Sequence, residues 1–449
     1  MPQYDIVIAA NRGPNAIDLI NDSPPSGGLV SAIEPALSDI DCVWLSAVPQ
    51  YKNRDIPLRS AFGTPLISVD IPESIYDAAY NTVSNETLWF CYHNLFNIAL
   101  EPRFDRRFYE AWEKYKICNE IFANEISNVS QNSATVIVHD YHLSLVPKIL
   151  RRLRPDLKIC HFSHTPFPDC AYFSQLPKNI APEILEGLAV SDAVGFHSKN
   201  WMDNFNSCLN SYGLNANKLF FAPMGINPDI LLQETQATGA EDIKKSIEKL
   251  KGDRAFIVRV DRIEPSKNVV RGLLAFEELL ERWPDLKEKV MLACYLNPSR
   301  SSLSAYSAYE NEVLKAAENI NLKLQTSTWK PIQIIVENNR LQSLVALSLA
   351  DVVLVNPLKD GLNLVAKEAS IVSKNSSLLV LSKEAGVYHQ LKEFAFGVDP
   401  LNISETAKLL HDALATDRET RDKIHSNLKA ICSENTASNW IKYLLKQVS

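Results

Sequence analysis

The residues best able to do chemistry in this 449-residue chain lie just past short apolar runs, in five clusters. The most specific is Asn356-Pro357-Leu358-Lys359-Asp360-Gly361-Leu362-Asn363-Leu364-Val365-Ala366-Lys367-Glu368, which follows the run DVVLV. A strand that feeds a short loop and then a helix leaves the N–H groups of Gly361, Leu362, Asn363 and Leu364 without helical partners, a ready site for a diphosphate. Asp360 could hold sugar hydroxyls. Glu368, about two helical turns on, could accept bonds from a ribose diol. In Asp261-Arg262-Ile263-Glu264-Pro265-Ser266-Lys267, two cations share one strand–helix loop, and Arg300 ends a further strand. Three cations on neighbouring strand ends suit a diphosphate and can stabilise the charge that develops as it leaves. The competing reading is that loop cations are simply solvated.

The other three clusters lie in the first half. Asn11-Arg12 follows the opening strand, with Ser26-Gly27-Gly28 on the loop beyond. Backbone N–H groups at paired glycines can cradle a phosphate, and an arginine there can clamp it bidentately; paired glycines also make ordinary turns. Val138-His139-Asp140-Tyr141-His142 closes a second apolar run, where Asp140 either faces a cleft or caps the next helix. His164-Thr165-Pro166-Phe167-Pro168 ends a third, and the prolines hold the histidine in a fixed direction.

Elements that could position these clusters alternate along the chain. Strands are expected at 6–10, 43–47, 66–69, 136–139 and 159–162, with amphipathic stretches such as HLSLVPKILRRL between or after them. After a polar, charged stretch the rhythm restarts, with strands at 256–260, 291–294, 352–355 and 378–381. A helix is expected at 269–280, stopped by Trp283-Pro284. Strand–helix alternation implies parallel sheets with helices on both faces, so the expectation is an α/β chain with two doubly wound domains in tandem. The length suits two cores better than one. Ligands of such sheets sit outside the carboxyl ends of the strands, in a crevice that two facing domains would share.

Bulk properties narrow the function classes. A formal net charge of -7 argues against a nucleic-acid partner and makes any anion site a local basic cluster. The start MPQYDIVIAANRGP lacks the pattern of a signal peptide, and no apolar run approaches a bilayer span, so a cytoplasmic protein without membrane association is expected. The eight cysteines are scattered without a C-x-x-C pair, as buried thiols rather than metal ligands, and no metal is expected.

Taken together, these residues resemble the trehalose-6-phosphate synthase family over nearly the whole chain. The resemblance rests on N-R near the start, S-G-G-L, Trp44, Tyr80-Asn81 with Leu88-Trp89, H-D-Y-H-L, H-T-P-F-P, P-M-G-I, Arg262 with Lys267, Arg300, and D-G-L-N-L-V-A-K-E. It implies the GT-B architecture, two Rossmann-like domains facing a central cleft: an acceptor domain at 1–227, a nucleotide-sugar domain at 228–432, and a terminal helix at 433–449 crossing back. It implies retaining transfer of glucose from a nucleoside-diphosphate glucose to glucose 6-phosphate, with the leaving phosphate taking the acceptor proton and no cofactor or metal required.

By the same resemblance, Arg262, Lys267 and the amides of Gly361, Leu362, Asn363 and Leu364 would hold the donor diphosphate. Gly28 would approach it, and Glu368 would bind the ribose. Asp360 and His164 would hold the hexose, and Asp140 would lie near the acceptor hydroxyl. Arg12, Tyr80, Trp89 and Arg300 would grip the acceptor, with Trp44 in the same substrate site. The sequence departs from the family at Asn268 (usually Gly), Ala369 and Asn94 (both usually Tyr). Lys267-Asn268 and Leu296-Asn297-Pro298-Ser299-Arg300 are similar to validoxylamine phosphate synthases. Another phosphorylated acceptor, glycerol 3-phosphate or a cyclitol phosphate, is therefore one alternative. A catalytically silent regulator that binds sugar phosphate is another. The donor base and a homo-oligomeric state are left open.

Overall fold

The computed structural model describes residues 3–15, 28–47, 58–300 and 303–449. Ser26 and Gly27 lie outside them. The chain forms two compact units, Met1–Gly225 with Ala437–Ser449, and Ile226–Thr436.

The first unit is built on β1 (Tyr4–Ala9), β2 (Val43–Ser46), β3 (Leu58–Arg59), β4 (Pro65–Ser68), β5 (Ser130–His139), β6 (Lys158–Ser163), β7 (Ala193–Phe196) and β8 (Leu219–Phe221). Their order is β3-β4-β2-β1-β5-β6-β7-β8, parallel except for β3 against β4. Val136, Ile137 and Val138 of β5 have no exposed surface. A parallel strand is covered on both faces, which is why it reads as a continuous apolar run rather than an alternating one. The helix Ala437–Gln447 packs into this unit. Its Trp440 donates from Nε1 to Ala222 O at 2.9 Å and meets Phe162 edge-on.

The second unit carries β9 (Ala255–Arg262), β10 (Val290–Asn297), β11 (Ile332–Val336), β12 (Val352–Val355), β13 (Leu378–Ser382) and β14 (Phe396–Val398). The sheet runs β11-β10-β9-β12-β13-β14 and is parallel throughout. The helix Val269–Arg282 lays Val269, Leu273, Phe276, Leu279 and Leu280 into the core, at the three- and four-residue spacing of one helical face. Trp283, preceding Pro284, leaves the helical region and ends it.

Each sheet has one place where strand order reverses. In the first unit it falls between β1 and β5, and in the second between β9 and β12. Loops that leave neighbouring carboxyl ends there in opposite directions open a crevice for a ligand. Arg12 follows β1 and Asp140 follows β5, while Arg262 ends β9 and Asp360 follows β12. The doubly wound order therefore gathers the sequence clusters at two switch points.

Five strands escaped the sequence pattern: β3, β7, β8, β11 and β14. Four of them have two to four residues, too few to show a period. A π-helix at Ala78–Leu88 was also unforeseen. Its wide turns suit Ser84 and Thr87, whose hydroxyls donate to the carbonyls of Ala79 and Thr82, five residues back.

Candidate active site

In the first unit the site grows from the ends of β1, β5, β6 and β7. Arg12 is exposed, and its Nη2 donates to Tyr80 Oη at 2.6 Å. Tyr80 stacks between Tyr76 and His142. Trp44 has no exposed surface and donates from Nε1 to Arg12 O at 3.2 Å, so it reaches a ligand only through the arginine it supports. Gly13 makes that fit possible, since a Cβ there would stand 2.6 Å from Ser46 Oγ and 3.1 Å from Trp44 Cδ1. Trp89 is buried and stacked on His93. Gly28 opens the short helix Gly28–Ile33.

Asp140 does not cap the helix that follows it. Its Oδ1 instead accepts from the backbone N–H of His164 at 3.2 Å and from Thr165 Oγ1 at 3.3 Å, tying the end of β5 to the end of β6. Burial pushes its pKa up to about 6, against those bonds.

His164 belongs to a chain of histidines that sequence reasoning missed. Its Nδ1 lies 3.0 Å from His197 Nε2, and its Nε2 lies 2.9 Å from His139 Nδ1. The N–H of Met224 donates to His197 Nδ1 at 3.3 Å. That donor settles the rest for neutral rings: His197 donates from Nε2 to His164, which donates from Nε2 to His139. The remaining N–H, at His139 Nε2, is buried and has no hydrogen-bond partner among the described residues. Burial, with the neighbouring imidazoles, lowers His139 to about 3 and His164 well below its usual value, so the rings stay neutral. Both nitrogens of His164 are thus committed to histidines, and a sugar hydroxyl reaches one only by displacing a ring.

In the second unit the charges are paired. Lys267 Nζ lies 2.5 Å from Asp360 Oδ2, both side chains mostly buried. Burial pushes the ammonium's pKa down, but Asp360 and Asp261 hold it above its usual value. Asn363 donates from Nδ2 to the same Asp360 oxygen and accepts with Oδ1 from Ala366 N, capping the helix Leu364–Val372. The amides of Gly361, Leu362, Asn363 and Leu364 precede that capped position, where helix geometry supplies no partner of its own. Glu368, one turn in, is mostly buried and pairs with Arg340 at 3.0 Å; Arg340 also holds Glu234 at 2.9 Å.

Glu264 is the residue the sequence did not single out. It has no exposed surface, yet its Oε1 lies 2.7 Å from Arg262, 3.8 Å from Arg300 and 2.8 Å from Ser299 Oγ. Burial pushes this carboxyl up, but Arg262, Arg300 and Lys267 outweigh it and hold it at about 2. One buried anion therefore presents two guanidinium groups, and the structure places Arg300 with Arg262 in this unit. Nothing in the linear sequence joins Glu264 to Arg300. Asn268 explains its own departure from glycine: at φ 58, ψ 38 it takes the left-handed conformation glycine would take. Its Nδ2 also donates to Asn356 O and Pro400 O.

Among the described residues no group of His, Cys, Asp or Glu is arranged to hold a metal ion. No described helix is long and apolar enough to cross a membrane.

A family model described as Glycosyltransferase family 20 matches residues 10–449. The alpha,alpha-trehalose-phosphate synthase (UDP-forming) of Schizosaccharomyces pombe is 30% identical over 464 residues, covering 97% of this chain and 88% of that protein. The alpha,alpha-trehalose-phosphate synthase (UDP-forming) A of Dictyostelium discoideum is 29% identical over 466 residues, covering 99% of this chain; the match spans 62% of that protein's length. Among solved structures, trehalose-6-phosphate from E. coli bound with UDP-2-fluoro glucose is 27% identical with a TM-score of 0.85, covering 99% of this chain and 98% of that one. The two doubly wound sheets are the GT-B architecture.

Proposed function

The chain belongs to glycosyltransferase family 20, and from that premise we propose that it moves glucose from UDP-glucose to glucose 6-phosphate, giving α,α-trehalose 6-phosphate. The observation that carries the reading is the second unit's cation array. Lys267 is preset on Asp360 beside the helix Leu364–Val372, and Arg262 and Arg300 are held on Glu264. Preorganised cations and helix amides stabilise a departing diphosphate without rearranging when the charge appears.

The residues then divide the work. Lys267, Arg262 and the amides of Gly361, Leu362, Asn363 and Leu364 hold the diphosphate. Gly28 approaches it, and Glu368 accepts from the ribose. Asp360 takes a hexose hydroxyl on the side away from Lys267. Arg12, backed by Trp44 and joined to Tyr80, receives the acceptor's phosphate, and Trp89 and Arg300 are further acceptor contacts in this reading. Asp140 faces the acceptor hydroxyl, and His164 lines the hexose. In the step itself the bond between the anomeric carbon and the diphosphate oxygen breaks, the acceptor oxygen bonds that carbon on the same face, and its proton passes to the leaving diphosphate. UDP as leaving group is supported by the names of the relatives above. The Asn268 departure supports no other acceptor, because the backbone conformation of glycine is kept.

The test is direct. The purified chain is incubated with UDP-, GDP- or ADP-glucose against glucose 6-phosphate, glycerol 3-phosphate or a cyclitol phosphate, reading nucleoside diphosphate and product mass together. Trehalose 6-phosphate from UDP-glucose is the expected result. Turnover only with another acceptor, or binding without turnover, overturns it.

A further inference from the structure

Arg259 lies inside β9, faces the interior and is 1% exposed. A buried guanidinium is costly to desolvate and persists where it is paired on several sides. Here its Nε lies 2.8 Å from Asp261 Oδ2, Nη1 donates to Asn356 Oδ1 at 2.5 Å, and Nη2 donates to the backbone carbonyl of Lys267. Those last two acceptors stand at the roots of the two loops that meet as the Lys267–Asp360 pair. Asn356 begins the loop to Asp360, and it is also the residue whose carbonyl accepts from Asn268 Nδ2. A planar fork reaching both loops sets their separation, which a point charge could not do.

A second element of the fold is cut to fit this group. Gly272, on the helix Val269–Arg282, lies against it: a Cβ there would stand 2.4 Å from Arg259 Nη1 and 3.3 Å from Asn356 Oδ1. Helix interiors disfavour glycine, and at this position its absent side chain is the space the guanidinium occupies.

We infer that Arg259 is a positioning residue, a buried clamp that holds the Lys267 loop and the Asn356–Asp360 loop at the spacing a diphosphate requires. The inference rests on the diphosphate reading of Lys267. Arg259 touches no substrate; it acts through the backbone of Lys267 and the side chain of Asn356.

The experiment compares UDP affinity by titration calorimetry, and KM for each substrate, in the unaltered chain and in Arg259→Met, Arg259→Lys and Gly272→Ala. Folding is followed in parallel by thermal unfolding. Arg259→Lys is expected to recover much of the stability that Arg259→Met loses, because the charge on Asp261 is again compensated, but not the UDP affinity. Gly272→Ala keeps every charge and displaces the fork. Both are expected to weaken UDP binding by roughly tenfold to a hundredfold, as displacement of a binding group by an ångström or so does. KM for UDP-glucose should rise with it and KM for glucose 6-phosphate should not. UDP affinity unchanged in Arg259→Lys and Gly272→Ala, or restored in full by lysine, overturns the clamp. Should Arg259→Lys fail to fold, Gly272→Ala decides alone. Failure of the unaltered chain to bind UDP overturns the functional reading itself, and the clamp with it.

Discussion

Asp140 should make the protein less stable than it need be. The residue sits at φ 69, ψ 170, a region that glycine enters freely and other residues enter at a cost of about 1–3 kcal/mol. Its carboxylate is taken from water and held by the backbone N–H groups of His164, Tyr141 and Thr165 and the hydroxyl of Thr165, with no cation among the causes of its shift. Burial consequently raises its pKa from 3.8 to about 6. A carboxyl that holds its proton more tightly when folded costs stability as pH rises from about 3.8 through about 6, and the full cost remains above that. The interval corresponds to about 3 kcal/mol. The residue is half-buried, and solvent moderates its charge, so about 2 kcal/mol is the working figure.

Asp140→Asn keeps an oxygen for these bonds and removes the charge. At pH 7.5 the first unit should gain about 2 kcal/mol, or about 4–8 °C in Tm for a unit of this size. The gain should shrink as pH falls through 6 and vanish below 4. Asp140→Gly should add relief of the backbone strain. Both should lose turnover by about a hundredfold or more, as expected for a group that orients a reacting hydroxyl. Thermal unfolding followed across pH 4–8 checks this. An asparagine variant no more stable than the unaltered chain at pH 7.5, or a gain indifferent to pH, refutes the argument that the site buries an uncompensated carboxylate.

Three further outcomes follow from the second unit. Glu264 is held at about 2, below the usual 4.5, so its contribution is full above about 4.5 and lost as pH falls through about 2. Glu264→Gln should therefore cost about 3 kcal/mol near neutrality; equal urea midpoints for the two proteins at pH 7 would sink this. Lys267→Met leaves Asp360 buried without its cation and should weaken UDP binding by about 1.5–3 kcal/mol, roughly tenfold to a hundredfold; calorimetry returning an unaltered Kd would show that the ammonium does not meet the diphosphate. Asn268→Gly should lose only the side chain's three bonds, to Asn356 O and Pro400 O and from Arg271 Nη1, whereas Asn268→Ala also pays about 1–2 kcal/mol for the left-handed backbone. Equal unfolding midpoints for glycine and alanine would contradict the conformational account.

How much of this could be read from the sequence depended on whether partners were close along the chain. The segment from Asn356 to Glu368 was readable because strand, loop, cap and helix follow one another within thirteen residues. Arg262 and Lys267 were readable for the same reason. Glu264 lies between them but acquires meaning only from Arg300, thirty-six residues away in sequence. The histidine chain draws on the ends of three strands, β5, β6 and β7, which only the sheet order makes adjacent. Arg259 was invisible for another reason: an arginine within a strand reads as a solvent-facing position, and only the parallel sheet shows that both faces are covered. Asp140 was seen, but its choice between cap and site turned on the conformation at φ 69, which no pattern of residue types reports.

The two units solve opposite electrostatic problems. In the second, four cations are matched to carboxylates before any ligand arrives: Lys267 on Asp360, Arg262 and Arg300 on Glu264, Arg340 on Glu368 and Glu234. A site of that kind holds its charges in place without requiring ligand to fold, and an incoming dianion is bound by sharing cations that are already oriented. In the first, the imidazoles of His139 and His164 are kept neutral by burial and by each other, and Asp140 carries a charge its surroundings penalise. Neutral, directional donors and one under-solvated carboxylate suit hydroxyl groups, whose protons must be oriented rather than whose charge must be balanced. If glucose leaves one phosphate for the hydroxyl of another sugar, the charge that moves is on the diphosphate, and the group that must stay aligned is the hydroxyl. Under the proposed function, each unit's electrostatics fits one of those two demands: a carboxylate held at about 2 orients cations in the second unit, and a carboxylate raised to about 6 offers an acceptor to a hydroxyl in the first.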